Sequence, residues 1–525
     1  MKNPTETWNN LRRHCRREWK LAFFSTFLLG LLIHMPIMLR DIPNHDGLAS
    51  MYFDQNMVTS GRWFLTVACG ISSYYTIPWV IGLLGLFYLS LAATALCELL
   101  EVRRTWAAAL CGALLASFPA LASTFAYVYT LDGYMMALLL AVLAVLFVKK
   151  YRRGFVPGAF CLAFSMGIYQ SYLPFTMILS VFAVWMLFLK NVPGEGAERA
   201  WFMEKMRSAL RYVYMGVLGA AFYYGILQIL LKLQGKQLGD YQGIGEMASG
   251  AAAERGILLT LQDMYVDFAA FTLKGNVLFQ NIFSMLAWIL LTGLVMKAAF
   301  SAFRRLKLWK NPGTLAVLLL SGAVLPGLTN IVLLISPSVN YHLLMRYQWV
   351  LYAVGAVALL SGSGEKGRKR VCLEWGALLA AFVLVLCYGI TDNIAYSNLQ
   401  KKYEKTYAYC VRLLDRIEQT EGYYPGIPIA MVGVVGEEQF PSTDLTLPVT
   451  SGMIGMNGDS LLYTGVNYQE FLKNYLGATL NILPADAMEE MYYSEEYIAM
   501  DSFPGANSMG VIDGILYIKT ENSER

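Results

Sequence analysis

The chain has 525 residues, of which 56% are hydrophobic and only 15% charged, with a mean hydropathy of +0.45. A soluble domain carries about 25% charged residues. This composition, in which the apolar residues fall in long runs, excludes a soluble enzyme and points to a polytopic α-helical membrane protein. The net charge of +4 is too small, and too segregated along the chain, to suggest a nucleic-acid partner.

Met1 to Lys20 carries Arg12, Arg13, Arg16 and Arg17 ahead of an apolar stretch from Leu21 to Leu39. No small-residue cleavage site follows, so a retained first span is expected rather than a removed signal peptide. Further apolar runs cover 76–100, 106–128, 132–148, 212–234, 279–300, 313–336, 348–361 and 371–391. A run from Phe155 to Leu189, too long for one span of about 20 residues, divides at Tyr169-Gln170-Ser171-Tyr172-Leu173-Pro174. About 11 spans result. Counted in alternate loops, Lys and Arg number 26 on one side and 7 on the other, which places the N-terminus in the cytoplasm. The expected domains are a multispan domain over 1–391, with outside loops at 40–76 and 234–278, and an extracytoplasmic α/β domain over 392–525. The tail holds 8 basic against 19 acidic residues. Within it, Lys401 to Glu418 reads as an amphipathic helix, Ile427 to Val435 as a buried strand, Tyr468 to Tyr475 as a short helix, and Met509 to Thr520 as a hairpin around Asp513-Gly514.

Polar groups concentrate on the outside face. The first outside loop reads Arg40-Asp41-Ile42-Pro43-Asn44-His45-Asp46-Gly47, then Ser60-Gly61-Arg62-Trp63-Phe64. Leu48 to Val67 has the spacing of one amphipathic helix along the interface. A carboxylate just ahead of it, Asp46, suits general-base work, typically worth 10²- to 10⁴-fold; Asp46 or Asn44 suits equally a helix cap. Asp132 lies in a short loop between spans, as a cap or a substrate contact. Arg346 stands against a span, where its guanidinium suits two hydrogen bonds to a phosphate, or pairing with an acidic side chain. Tyr169 and Gln170 end a short span. His45 with Asp41 and Asp46 is a weak set for a divalent cation, so metal dependence stays open and no other cofactor is expected. Nucleotide-binding loops and H-E-x-x-H are absent, and the eight Cys include no C-x-x-C.

Asn44-His45-Asp46, Ser60-Gly61-Arg62-Trp63, Phe125-Ala126-Tyr127 to Asp132-Gly133, Gly167-Ile168-Tyr169-Gln170-Ser171 and the closing Phe503-Pro504 with Ile512-Asp513-Gly514-Ile515-Leu516 together resemble the O-antigen glucosyl transferase type II family. These are membrane glucosyltransferases that decorate bacterial surface glycans. The resemblance implies a GT-C type bundle in the bacterial plasma membrane, with its site on the extracytoplasmic side. It also implies a polyprenyl-phosphate-glucose donor, a cell-surface glycan acceptor, and an acidic residue of the first outside loop as base. That role falls on Asp46, with Asp41 as runner-up; Arg62, Asp132, Tyr169, Gln170, Arg346 and His45 are the expected substrate contacts. A transporter, flippase or polymerase of lipid-linked sugars is the alternative, although mid-span residues are mostly Leu, Ala, Val and Phe rather than ionisable.

Overall fold

A computed structural model describes residues 3–6, 15–50, 55–70, 76–190, 192–193, 198–239, 256–337, 339–432, 447–450, 453, 456, 462 and 465–520. In chain order the helices of the membrane part are α1 (Arg17–Met38), α2 (His45–Ser50), α3 (Leu65–Cys69), α4 (Pro78–Leu99), α5 (Thr105–Ser117), α6 (Pro119–Phe125), α7 (Leu131–Lys150), α8 (Phe155–Ile168), α9 (Leu173–Leu189), α10 (Glu198–Leu233), α11 (Ile257–Lys274), α12 (Ile282–Arg305), α13 (Pro312–Thr329), α14 (Val350–Ser361) and α15 (Gly367–Glu418). Among the described residues nine helices are long and apolar enough to cross a membrane, or ten if α5 and α6, bent by 46°, form one span. This corrects the expected eleven. The segment over 155–168 forms a helix of 14 residues, about 21 Å at 1.5 Å per residue, against roughly 30 Å of hydrocarbon.

Where the long run was expected to divide, the backbone does break. Tyr169 is extended (φ −155°, ψ 112°), a 3₁₀ turn covers Gln170–Tyr172, and α9 begins with Pro174 in its first turn. Proline there removes an N–H that would have no intrahelical partner anyway. The α5–α6 bend has a similar origin. Pro119 lacks an N–H, so the Leu115 carbonyl loses its helical donor, and Phe118 before it is extended. The Tyr347 hydroxyl donates to Leu115 O at 2.5 Å. His34, fully buried in α1 and stacked on Phe125 at 4.2 Å, meets Ala116 O through Nε2 at 2.8 Å and the Tyr396 hydroxyl through Nδ1 at 2.5 Å. A carbonyl only accepts, so Nε2 carries the proton and Nδ1 accepts from Tyr396. This polar knot ties α1, the bend and α15 together, with the fully buried Asp392 of α15 within electrostatic reach of Tyr347 and Tyr396.

The loop after α1 departs from the single amphipathic helix expected over Leu48 to Val67. Its described residues form α2, a 3₁₀ turn at Val58–Ser60 and α3. Gly61 is left-handed (φ +74°), and Met57 pairs with Arg62 across that turn, so no helix can pass through it. The loop expected over 234–278 contains α11, whose exposed apolar residues include Leu258 at 84% and Leu273 at 67%.

α15 has 52 residues, about 78 Å of helix. It runs unbroken past the expected boundary at 391/392 into the tail, where the amphipathic stretch read over Lys401 to Glu418 is its last five turns. The tail's sheet comprises β1 (Pro428–Val432), β2 (Asn481–Ile482), β3 (Met509–Ile512) and β4 (Ile515–Lys519), in the order β2-β1-β4-β3. β1 is parallel to β2 and β4, while β3 and β4 form an antiparallel hairpin. Asp513 and Gly514 both have positive φ (49° and 79°), as the two-residue hairpin turn with the twist of the strands demands. Helix α16 (Gly465–Phe471) continues the chain between β1 and β2 and packs on α2. Leu48 of α2 is buried in the core of the tail with Tyr409, Leu413, Tyr468 and Leu516. The loop after α1 and the tail thus share one core.

Candidate functional site

Two broken helix ends, the 3₁₀ turns at Val128–Thr130 and Gln170–Tyr172, meet the first loop and its own 3₁₀ turn at Val58–Ser60. Asn44 Oδ1 accepts the Gly47 N–H at 2.6 Å, so Asn44 is the cap of α2. Asp46, in the first turn of that helix, is half-buried and not the cap. Tyr129 lies within electrostatic reach of both Asp46 and Arg62, and Gly47 backs onto its ring: a Cβ there would stand 3.9 Å away.

Arg62 is placed by the turn before it. Gln170 Nε2 donates to Ser60 O at 3.0 Å and lies 3.0 Å from the Tyr223 hydroxyl, which donates to Gly61 O at 3.1 Å. From this clamp Arg62 Nη1 reaches the Tyr134 hydroxyl at 3.3 Å, and its guanidinium lies 4.9 Å over the Tyr169 ring, a cation–π distance. Tyr134 and Tyr169 stack at 4.3 Å and 5°, with Tyr172 edge-on to Tyr169. Phe64 N–H donates to Gly167 O at 2.7 Å, and Trp63 covers Gly167 so closely that a Cβ would come within 2.6 Å of the indole. Two sequence segments a hundred residues apart, Ser60 to Trp63 and Gly167 to Ser171, therefore interlock. Tyr169 contributes a face to this platform. Gln170 is a clamp on the Arg62 turn.

Asp132, in the first turn of α7, is fully buried. Its Oδ1 accepts the Gly133 N–H at 2.9 Å, and the Cys69 thiol of α3 is hydrogen-bonded to its carboxyl group. Successive helical residues turn by about 100°, so Asp132 faces α3 while Tyr134 faces Arg62. Asp41 is turned elsewhere again: the Tyr475 hydroxyl of the tail lies 3.5 Å from its Oδ2. Burial raises its carboxyl above the ordinary value, and the Tyr475 contact offsets part of that rise. The side chain of His45 lies outside the described residues, and among those described no three His, Cys, Asp or Glu stand close enough to hold a metal ion.

Arg346 is on the 3₁₀ stretch Leu343–Trp349. Its fork is taken by Asp267 of α11, Nη1 to Oδ2 at 2.6 Å and Nη2 to Oδ1 at 2.8 Å, and its Nε donates to Tyr341 O at 3.1 Å. The guanidinium lies over Tyr341 at 3.9 Å, Phe271 at 4.6 Å and Trp349 at 5.5 Å. Its side chain is 8% exposed, that of Asp267 30%, so the fork opens to solvent only through the carboxylate. Asn330 Nδ2 also donates to Asp267 Oδ2, at 3.0 Å. Sequence reading missed Asp267, Tyr134 and Tyr223. Asp267 stood in the long loop over 234–278, in which no residue was singled out, and the tyrosines looked like ordinary residues of apolar runs. The stretch bearing Arg346 packs against Gln170–Tyr172, the turn that holds Arg62.

Nine to ten apolar spans with a polar, aromatic-lined cluster at broken helix ends define a multi-pass membrane protein. Residues 35–361, which include every residue of this cluster, match the family model Glucosyl transferase GtrII. The chain belongs to that family, and membership makes it a membrane glycosyltransferase. Comparison with curated proteins and with solved structures found no match.

Proposed function

We propose that the protein transfers glucose from polyprenyl-phosphate-glucose to a hydroxyl of a cell-surface glycan, on the extracytoplasmic side of a bacterial plasma membrane. The N-terminus is cytoplasmic and the tail extracytoplasmic in this reading, as the 26 to 7 distribution of Lys and Arg supports. The observation that carries it is the grouping of Asp46, Tyr129 and Arg62 beside the stacked Tyr134–Tyr169 pair. A carboxylate in the first turn of α2, whose cap is Asn44, stands beside a guanidinium and tyrosine hydroxyls, groups that suit hydrogen bonding to a hexose.

Asp46 takes the proton of the acceptor hydroxyl, whose oxygen attacks the anomeric carbon as the bond from that carbon to the phosphate oxygen breaks. One displacement inverts the configuration, and the phosphate leaves still attached to its lipid. Negative charge grows on the phosphate in the transition state, and a guanidinium fixed in advance stabilises it most there. Arg346 fills this role by exchanging the two Asp267 oxygens for two phosphate oxygens, a geometry its fork accommodates equally.

Asp46→Asn keeps the shape and removes the base. With purified protein and polyprenyl-phosphate-glucose, mass spectrometry should show transfer reduced by about 10²- to 10⁴-fold, with unchanged thermal unfolding. Near-normal turnover would reject Asp46 as the base.

A further inference from the structure

Asp132 is fully buried, so a substrate on the Arg62 platform does not reach it; what it touches is the end of α3. That helix has five residues, too few to hold its shape unaided, and its neighbours set its position. At its start the Leu65 N–H donates to Arg62 O at 3.2 Å, so a shift of the helix is carried straight to Arg62. At its end the Cys69 thiol is hydrogen-bonded to the Asp132 carboxyl group. Between the two, α3 lies against Gly133: a Cβ there would stand 2.8 Å from Cys69 Sγ, 3.3 Å from Leu65 Cδ1 and 3.5 Å from Ala68 Cβ. Tyr134, the next residue, meets Arg62 Nη1 at 3.3 Å. Three consecutive residues of α7 therefore grip both ends of the segment from Arg62 to Cys69. A buried carboxylate is costly unless compensated, and here the first turn of α7 compensates it through the positive end of the helix dipole and the Gly133 N–H at 2.9 Å.

Resting on the reading of Arg62 as a contact of the sugar, we infer that Asp132 is a positioning residue for the transfer: through Cys69 it fixes α3, and through α3 it holds the Arg62 guanidinium over Tyr169. Gln170 and Tyr223 hold the turn before Arg62; Asp132 and Cys69 hold the helix after it. The carboxyl group acts by accepting hydrogen bonds inside the protein, and it touches no substrate.

Modification of arginines by phenylglyoxal, mapped by mass spectrometry on the full-length protein in detergent, reads this without any substrate. Three variants cut the link: Asp132→Leu, close in shape but without an acceptor; Cys69→Ala, without the thiol; and Gly133→Ala, which pushes α3 away and leaves Asp132 in place. Each should raise the modification rate of Arg62 by about fivefold, by local opening, and leave that of Arg346, which is held by Asp267, within about twofold of the wild type. Asp132→Asn and Cys69→Ser keep a hydrogen-bonding group at each end of the link and should protect Arg62 as the wild type does. In transfer from polyprenyl-phosphate-glucose the three cutting variants should raise KM by about fivefold with a smaller change in kcat, and Asp132→Leu with Cys69→Ala should cost no more than either alone, because both break one contact. Unchanged Arg62 modification in the cutting variants overturns the inference. So does an equal rise at Arg346, which marks general loosening, or a loss of transfer in Asp132→Asn with Arg62 still protected, which marks a carboxylate that the substrate itself needs. Should Asp132→Leu fail to fold, Cys69→Ala and Gly133→Ala decide the same question. The expected modification pattern in a protein whose wild type transfers no glucose would uphold the positioning and reject the proposed function. Transfer by the wild type with Arg62 unmoved in the variants would do the reverse.

Discussion

Gly61 shows how a single backbone angle positions the site. Its φ of +74° is costly for any residue with a Cβ, and a Cβ would also come within 2.5 Å of both Gln170 Nε2 and the Tyr223 hydroxyl oxygen. Gly61→Ala should therefore cost about 1–3 kcal/mol, read as a lower unfolding temperature in detergent, and weaken transfer by shifting Arg62 off Tyr169. His34 makes a complementary case in the core. Replacing it by Leu leaves the Ala116 carbonyl and the Tyr396 hydroxyl buried without their partner, about 1–3 kcal/mol for each. The His34→Leu protein should unfold at lower temperature, whereas His34→Gln, which still donates and accepts, should recover part of the loss. Neither the kink acceptor nor the hydroxyl could be assigned to His34 from sequence, where it was one more residue in an apolar run.

At the scale of elements, α11 matters through one ion pair. The helix presents apolar side chains outward and is held at Asp267 by Arg346 and Asn330, and at Thr272 by Trp349 Nε1 at 3.3 Å. If the donor phosphate replaces Asp267 at Arg346, a weaker occupant should let it bind more readily. Asp267→Asn is then expected to lower the donor KM by a few-fold, because the neutral amide competes less well for the guanidinium; an unchanged or raised KM would show that the carboxylate is needed in the bound state. The sequence displayed both readings of Arg346, phosphate contact and acidic partner. It could not choose, because the partner is 79 residues away. The helix starts at Leu131 and Leu173 were visible, in contrast, from Pro174 and from the short polar interruption between apolar runs, which act within a few consecutive residues.

For the whole molecule, the tail is part of the architecture of the site. α15 carries it without a linker, and Leu48, two residues after Asp46, is 1% exposed within its core. Leu48→Ala should cost about 2–5 kcal/mol by transfer and cavity terms, and it should lower transfer although it removes no polar group, because α2 loses the anchor that orients Asp46. Thermal unfolding and donor consumption, measured on the same preparation, check both halves of this expectation.

The membrane character, most of the helical segments, the break at Tyr169 to Pro174 and the hairpin at Asp513-Gly514 are legible in the chain alone. Each of these is written in neighbouring residues: an apolar run long enough to leave water, a proline without an N–H, a pair tolerating positive φ. It takes the folded chain to show that Asn44 and not Asp46 caps α2, that Gln170 holds Ser60 from 110 positions away, that Asp267 fills the fork of Arg346, and that Asp41 meets Tyr475 across 434 positions. Such partners are chosen by packing, which brings together groups whose separation along the chain leaves no periodicity to read.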